Sequence, residues 1–193
     1  MAYASASDVK TYLGITASTD DTLITALIAR AQAMIDRETG TTFEASSDTT
    51  RYFDAVENVN GRYLLFDRWC AAITTVTNGD STEVTSAEYV KEPRGSGPYY
   101  GIKLLGSSTQ AWTYTTDAEN AISVLGKWAY SATVPADIAH ATIRLTAFLY
   151  RQRENANDID RAVVVGNATV LPAQLPADVA KIVAPYKPLS EWA

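Results

Sequence analysis

The sequence has one cysteine and one histidine in 193 residues. A single thiol, Cys70, excludes an intrachain disulfide and suits a reducing cytosol. A single imidazole, His140, means that a Ser-His-Asp arrangement could use no other residue. Long apolar runs are missing, so nothing reads as a membrane span. The first ten residues, MAYASASDVK, carry neither a basic segment nor an apolar core, so no signal peptide is expected. Positive charge is also scarce: 16 Lys and Arg face 22 Asp and Glu, for a net charge of -6. Phosphate repels such a surface, which argues against reading DNA but leaves room for an acidic wall beside it. There is no Gly-rich phosphate loop, internal repeat or low-complexity segment.

What is present is globular in composition, with 47% hydrophobic and 20% charged residues. That is enough for one substantial core, or one domain with an appendage. The ends read as helices. Ser5 and Asp8 have the Ser-x-x-acid spacing of an N-terminal cap. Val9, Tyr12 and Leu13 then give an apolar face, and Gly14 suits a left-handed C-terminal cap. Asp20 and Asp21 sit where a second helix starts and its dipole favours acids. Leu23, Ile24, Leu27, Ile28, Ala31, Met34 and Ile35 recur at helical spacing, to about Glu38, and Gly40 stops the helix. A third helix starts at Pro135, with Asp137 in its first turn and a stripe of Ile138, Ala141, Leu145, Phe148 and Leu149. Arg151 and Arg153 lie near its negative end.

Between Thr49 and Tyr130 the period changes to two. RYF, RYLLF, ITTVT, EYV, YGIKLL, WTYT and AISVLGKWAY are β-branched and aromatic runs. NVNG, TNGD, PRGSGP and LGSS separate them, and Asn78-Gly79 is the sharpest hairpin signal. GSGP at 95–98 reads as an exposed loop. The fold expected is α+β: a small helix bundle, from two N-terminal helices and one long later helix, with an inserted antiparallel β-domain and a C-terminal arm. The expected boundaries are 1–48, 49–133 (barrel or sandwich), 134–154 and 155–193. Within the last segment, ENANDID reads as a polar linker. RAVVVGNATVL reads as two short strands around Gly166-Asn167, LPADVAKIVAPY as a short helix and KPLSEWA as a tail.

Nothing in the chain looks catalytic, and no cofactor or metal site is expected. His140 lies mid-helix with no pattern around it and reads as structural or surface. Cys70 follows Trp69 at a strand start, with no nucleophile signature, and reads as a packed neutral thiol. Asp20-Asp21 lack the spacing of a calcium loop, and their cap position explains them. The aromatics around Trp112 and Trp128 could stack on sugars or bases, but such residues are usually the core of a small β-domain. The C-terminal apolar residues have two readings. They fold back on their own domain, or Val163, Val164, Val165, Val170, Leu171, Val179, Ile182, Val183, Tyr186 and Trp192 form an arm that docks on another chain. Arg30, Gln32, Arg37 and Glu38, opposite the apolar stripe of the second helix, suggest a modest polar contact between protomers.

Several motifs, in order, carry a resemblance: V-x-x-Y-L-G-I at 9–15, D-x-L-I-x-x-L-I-x-x-A at 21–31, M-I-D-R-E-T-G-T-T-F at 34–43, T-R-Y-F at 50–53, and V-P-A-D-I-x-x-A at 134–141 leading to L-Y-R-Q-R at 149–153. L-P-A-D-V at 175–179 with P-Y at 185–186 adds to it. In this order and spacing the chain resembles the head-tail connector, or head-completion adaptor, family of long-tailed bacteriophages, which also occurs in prophages and gene-transfer particles. The resemblance covers residues 7–153 well and the remainder loosely, and the valine-rich segment 161–171 has no counterpart in it. It implies a virion structural protein and not an enzyme: a ring of twelve subunits in the neck, assembled in the host cytoplasm. Its partners would be the portal and the next neck protein, a stopper or tail terminator, and DNA would pass through without sequence-specific binding. No membrane partner is implied. The other readings are a different neck or tail-completion protein, or a carbohydrate-binding β-module.

Overall fold

The computed structural model describes residues 2–154, 163–165, 168–170 and 175–186. The chain divides into two compact units: Thr41–Thr133, and Ala2–Gly40 together with the chain from Val134 onward.

The second unit is a helix bundle of α1 (Ala6–Leu13), α2 (Asp21–Thr39), α3 (Ala136–Glu154) and α4 (Ala177–Val183). Local chemistry sets most of its ends. Ser5 Oγ accepts from the Asp8 N–H and Asp8 Oδ2 accepts from the Ser5 N–H, both at 3.1 Å, a complete capping box. Gly14 (φ 73°) and Gly40 (φ 63°) close α1 and α2 in the left-handed region, where a side chain is disfavoured. Pro135 stands one position earlier than expected, and its carbonyl accepts the first helical bond of α3, from Ala139 at 2.9 Å. Asp20 precedes α2 but its side chain caps nothing. It accepts instead from the Tyr150 hydroxyl at 2.6 Å, and Asp21 accepts from Lys10 Nζ at 2.7 Å. The acids that read as a cap thus tie α3 and α1 to the start of α2.

Helix α3 packs against α1, α2 and α4. It therefore buries more than the expected stripe: Ile138, Ala141 and Leu145, and also Thr142, Thr146, Ala147 and Tyr150. The two buried threonine hydroxyls donate to the carbonyls of Ile138 and Thr142, so neither is left unsatisfied. Phe148 and Leu149 are only half-buried. Val9, Ile24, Ile28 and Tyr150 form one core cluster of this unit.

The first unit is a β-domain of two antiparallel sheets. One has the order β1 (Thr49–Phe53), β7 (Ile122–Lys127), β4 (Ala72–Thr77). The other has the order β2 (Val59–Asn60), β3 (Tyr63–Cys70), β6 (Tyr99–Leu104), β5 (Tyr89–Glu92). Period-two alternation sends Ile122 and Val124 of one sheet, and Leu64, Phe66, Ile102 and Leu104 of the other, into a single core. Phe53, Phe66 and Trp128 meet within it at centroid distances of 5.1 to 5.6 Å. NVNG is not only a turn, because Val59–Asn60 pairs with β3. WTYT is not a strand. Tyr114 makes one isolated bridge to Gly79.

A third, two-stranded sheet pairs β8 (Val163–Val165) with β9 (Ala168–Val170) in the register Val163↔Val170, Val164↔Thr169, Val165↔Ala168. Among the described residues, these two strands pair only with each other.

Candidate assembly surfaces

Of the residues weighed for chemistry, Cys70 and the two tryptophans pack within the β-domain. Cys70 is fully buried, its Sγ lies 3.1 Å from the Ala72 carbonyl, and burial pushes the thiol up to about 11. Such a thiol is a poor nucleophile. His140 is exposed on α3. Among the described residues, no group of three or more His, Cys, Asp or Glu could hold a metal ion, and no helix is long and apolar enough to cross a membrane. Trp112 and Trp128 both pack on the β-domain core, and their indole N–H groups donate to the Arg62 carbonyl at 3.1 Å and the Thr49 carbonyl at 2.9 Å. Arg51 lies over the Trp128 ring. Both rings are thus partly buried against the core, as expected of core aromatics in a small β-domain.

The polar face of α2 is only partly available. Arg30, Arg37 and Glu38 are exposed, whereas Gln32 is half-buried and its Oε1 accepts from the Tyr3 N–H at 3.3 Å. Tyr3 also donates from its hydroxyl to Asp36 at 2.7 Å. Burial raises the Asp36 pKa, and the Tyr3 bond partly offsets this.

The C-terminal residues separate into two groups. Helix α4 is docked on the bundle: Val179 and Val183 are fully buried, and Ile182 is half-buried. Arg144 of α3 donates to Asp178 from Nε at 2.7 Å and also from Nη2, bonds the Tyr12 hydroxyl of α1, and stacks over the Tyr12 ring. The Arg144 bonds hold the Asp178 pKa below the ordinary carboxylate value. Tyr186 donates to Asp137 at 2.7 Å. These four expected arm residues therefore follow the fold-back reading: the apolar stripe of α4 covers α3, leaving Val179 and Val183 no surface for a partner. Leu171 and Trp192 lie outside the described residues. Val163, Val164, Val165 and Val170 lie on β8 and β9.

The position of α4 also bears on the length of the chain that precedes it. Asp178 lies beside Arg144 and Tyr186 beside Asp137, so α4 runs back along the first half of α3. From Arg144 to the end of α3 is about 15 Å at 1.5 Å per residue. Five or six extended residues span that distance, at roughly 3.3 Å each. Residues 155–176 are far longer than the connection requires. Nothing in composition marks the anchor, because Arg144 and Asp178 meet only once both helices exist.

A second surface was not legible at all. Among the described residues, the most exposed large apolar side chains are Val56 (62%), Tyr52 (61%) and Tyr114 (50%), all on the β-domain. Tyr52 is on β1, Val56 follows β1, and Tyr114 bridges to Gly79 beyond the end of β4. The start of β7 pairs with the ends of both β1 and β4, so all three lie toward one end of the three-stranded sheet.

A family model described as "Head completion protein" matches residues 3–189. Among solved structures, similar chains occur in the neck of an empty GTA particle computed with C6 symmetry and in the neck of the native particle computed with C12 symmetry. Each is 14% identical with a TM-score of 0.58, covering 95% of this chain and 89% or 88% of the other. A chain of the native gene transfer agent virion is 13% identical, again with a TM-score of 0.58, covering 95% of this chain and 89% of that one. At such identity these likenesses establish a shared fold. No curated protein sequence matches the chain.

Proposed function

The chain belongs to the head completion protein family, and from that premise we propose that it is a structural head-tail adaptor of a tailed phage or phage-like particle. The family match over nearly the whole chain carries this reading. The reading is non-enzymatic: the protein works by occupying a position in the virion neck after assembly in the host cytoplasm. Its protomers close a ring beneath the portal, join it to the next neck protein, a stopper or tail terminator, and leave a lumen for DNA. Head-to-tail contacts between two different faces of each protomer are what close such a ring. The symmetry of the GTA neck structures supports a ring, and twelve subunits is the expected stoichiometry. Exposed Arg30, Arg37 and Glu38 belong to a modest polar protomer contact, and the excursion 155–176 is the partner-binding arm, with α4 as its anchor. The net charge of -6 keeps DNA from being gripped in passage.

Electron microscopy of the purified protein mixed with its portal tests the proposal. Rings capping the portal are expected. A protein that neither caps the portal nor enters particles would overturn it. Light scattering at micromolar concentration is expected to show a free protomer, with ring closure awaiting the portal.

A further inference from the structure

Among the described residues, two β-elements stand out for what their open sides lack. The first is β1, an edge strand paired only with β7. Edge strands left open are normally guarded by charge, proline or brevity. Strand β5, at the edge of the other sheet, carries Lys91 and Glu92 in a run of four residues. Strand β2 has only two residues. The outer side of β4 is partly occupied, because Thr77 bridges Glu83 and the Val84 N–H reaches the Val76 carbonyl at 2.9 Å. Strand β1 reads Thr-Thr-Arg-Tyr-Phe, and its one charge, Arg51, is already engaged by Asp67 and Trp128. Tyr52 on that strand is 61% exposed and Val56 just beyond it 62% exposed. The unguarded edge is thus also the most apolar exposed place described.

The second is the β8–β9 pair, built from Val163–Val165 and Ala168–Val170, which among the described residues pair only with each other. A lone two-stranded hairpin is marginal in water and gains stability when a further strand extends it. Its strands carry no charge, and neither hairpin nor β1 brings an ion to desolvate other than the engaged Arg51.

We propose that the β8–β9 hairpin of one protomer adds as a strand to the β1 edge of a second copy of this chain. The inference rests on the ring reading and deepens it by naming the two faces. Each protomer donates a hairpin to one neighbour and accepts one from the other, which is the heterologous contact that a closed ring requires. Main-chain bonds along β1 supply the pairing, and Tyr52 and Val56 supply apolar cover.

Cysteine pairing in mixed assemblies tests this, and the single native thiol does not interfere because Cys70 is fully buried. Val164→Cys chains are mixed with Thr50→Cys or Tyr52→Cys chains, allowed to assemble on the portal, and oxidised. Since each chain carries one accessible thiol, any 164–50 or 164–52 disulfide joins two chains. The expected result is a mixed disulfide dimer along β1 and none with the β5 control Lys91→Cys. Tyr52→Lys, a guard charge placed on the edge, is expected to lower ring yield at least ten-fold while leaving the melting of the free protomer unchanged. Rings that form normally without these disulfides, or hairpin thiols that couple only to the portal, overturn this inference and leave the ring reading intact. No rings and no interchain disulfides overturn both.

Discussion

Replacing Asn78 with alanine is expected to destabilise the β-domain by about 2–4 kcal/mol, although the Asn-Gly dipeptide reads simply as a hairpin turn. Asn78 is only 2% exposed. Its Nδ2 donates to the Ala111 carbonyl at 2.7 Å, and its Oδ1 accepts from the Gly79 N–H at 3.0 Å and the Thr113 N–H at 3.1 Å. Three bonds at about 0.5–1.5 kcal/mol each sum to roughly 1.5–4.5 kcal/mol, which brackets that loss, with the upper part reached if the freed peptide groups find no water. The side chain clamps the irregular segment after β6, which carries the exposed Tyr114. Gly79 completes the clamp: a Cβ there would lie 2.3 Å from the Thr113 carbonyl oxygen, so Gly79→Ala should also destabilise, although its φ is not positive. Urea unfolding followed by tryptophan fluorescence reads the right unit, since Trp69, Trp112 and Trp128 all lie in the β-domain. Two units need not unfold together, so the β-domain transition is fitted by itself. A loss below about 1 kcal/mol for Asn78→Ala, the size expected of an exposed turn residue, would refute the clamp.

Three further outcomes follow from the same geometry. Replacing residues 157–174 with a six-residue Gly-Ser linker should leave melting within about 1 °C and abolish ring formation, whereas deleting 155–193 also strips Val179 and Val183 from the core and should lower the melting temperature by several degrees, since each buried valine is worth about 1.5–3 kcal/mol before entropy is deducted; equal melting of the two deletions would show that α4 contributes nothing to the bundle. Asp178 has a depressed folded-state pKa, so its contribution is present above its unfolded value, near pH 4, and is lost as the pH falls through the depressed value; hydrogen exchange in α4 should therefore accelerate on the acid side of pH 4, and less so in Asp178→Asn, and the same acceleration in both proteins would sink that assignment. Cys70 should not react with a disulfide reagent at pH 8 until the protein is unfolded, given its burial and a thiol pKa of about 11.

Sequence determined what is closed within a few residues. The capping box of Ser5 and Asp8, the glycine caps at 14 and 40, the helical stripe of α2 and the alternating strands β1, β3, β4, β6 and β7 all depend on neighbours three or four positions away, or on period alone. The ordered motifs from residue 9 to residue 186 carried the family in the same way. Tertiary structure decided whatever depends on which distant groups meet. Asp20 and Asp21 have the composition of a cap, but Tyr150 and Lys10 claim their carboxylates. Asn78-Gly79 has the composition of a turn tip, but a segment more than thirty residues away folds onto it. Thr142 and Thr146 look like the polar side of α3, but helices packed around them leave that side no solvent. The short helix after Pro176 has the apolar face of a partner-seeking arm, but Arg144 and the bundle core hold it in place. In each case local sequence offers a group with more than one possible partner, and burial decides between them, because a polar group removed from water must take whichever partner the packing brings.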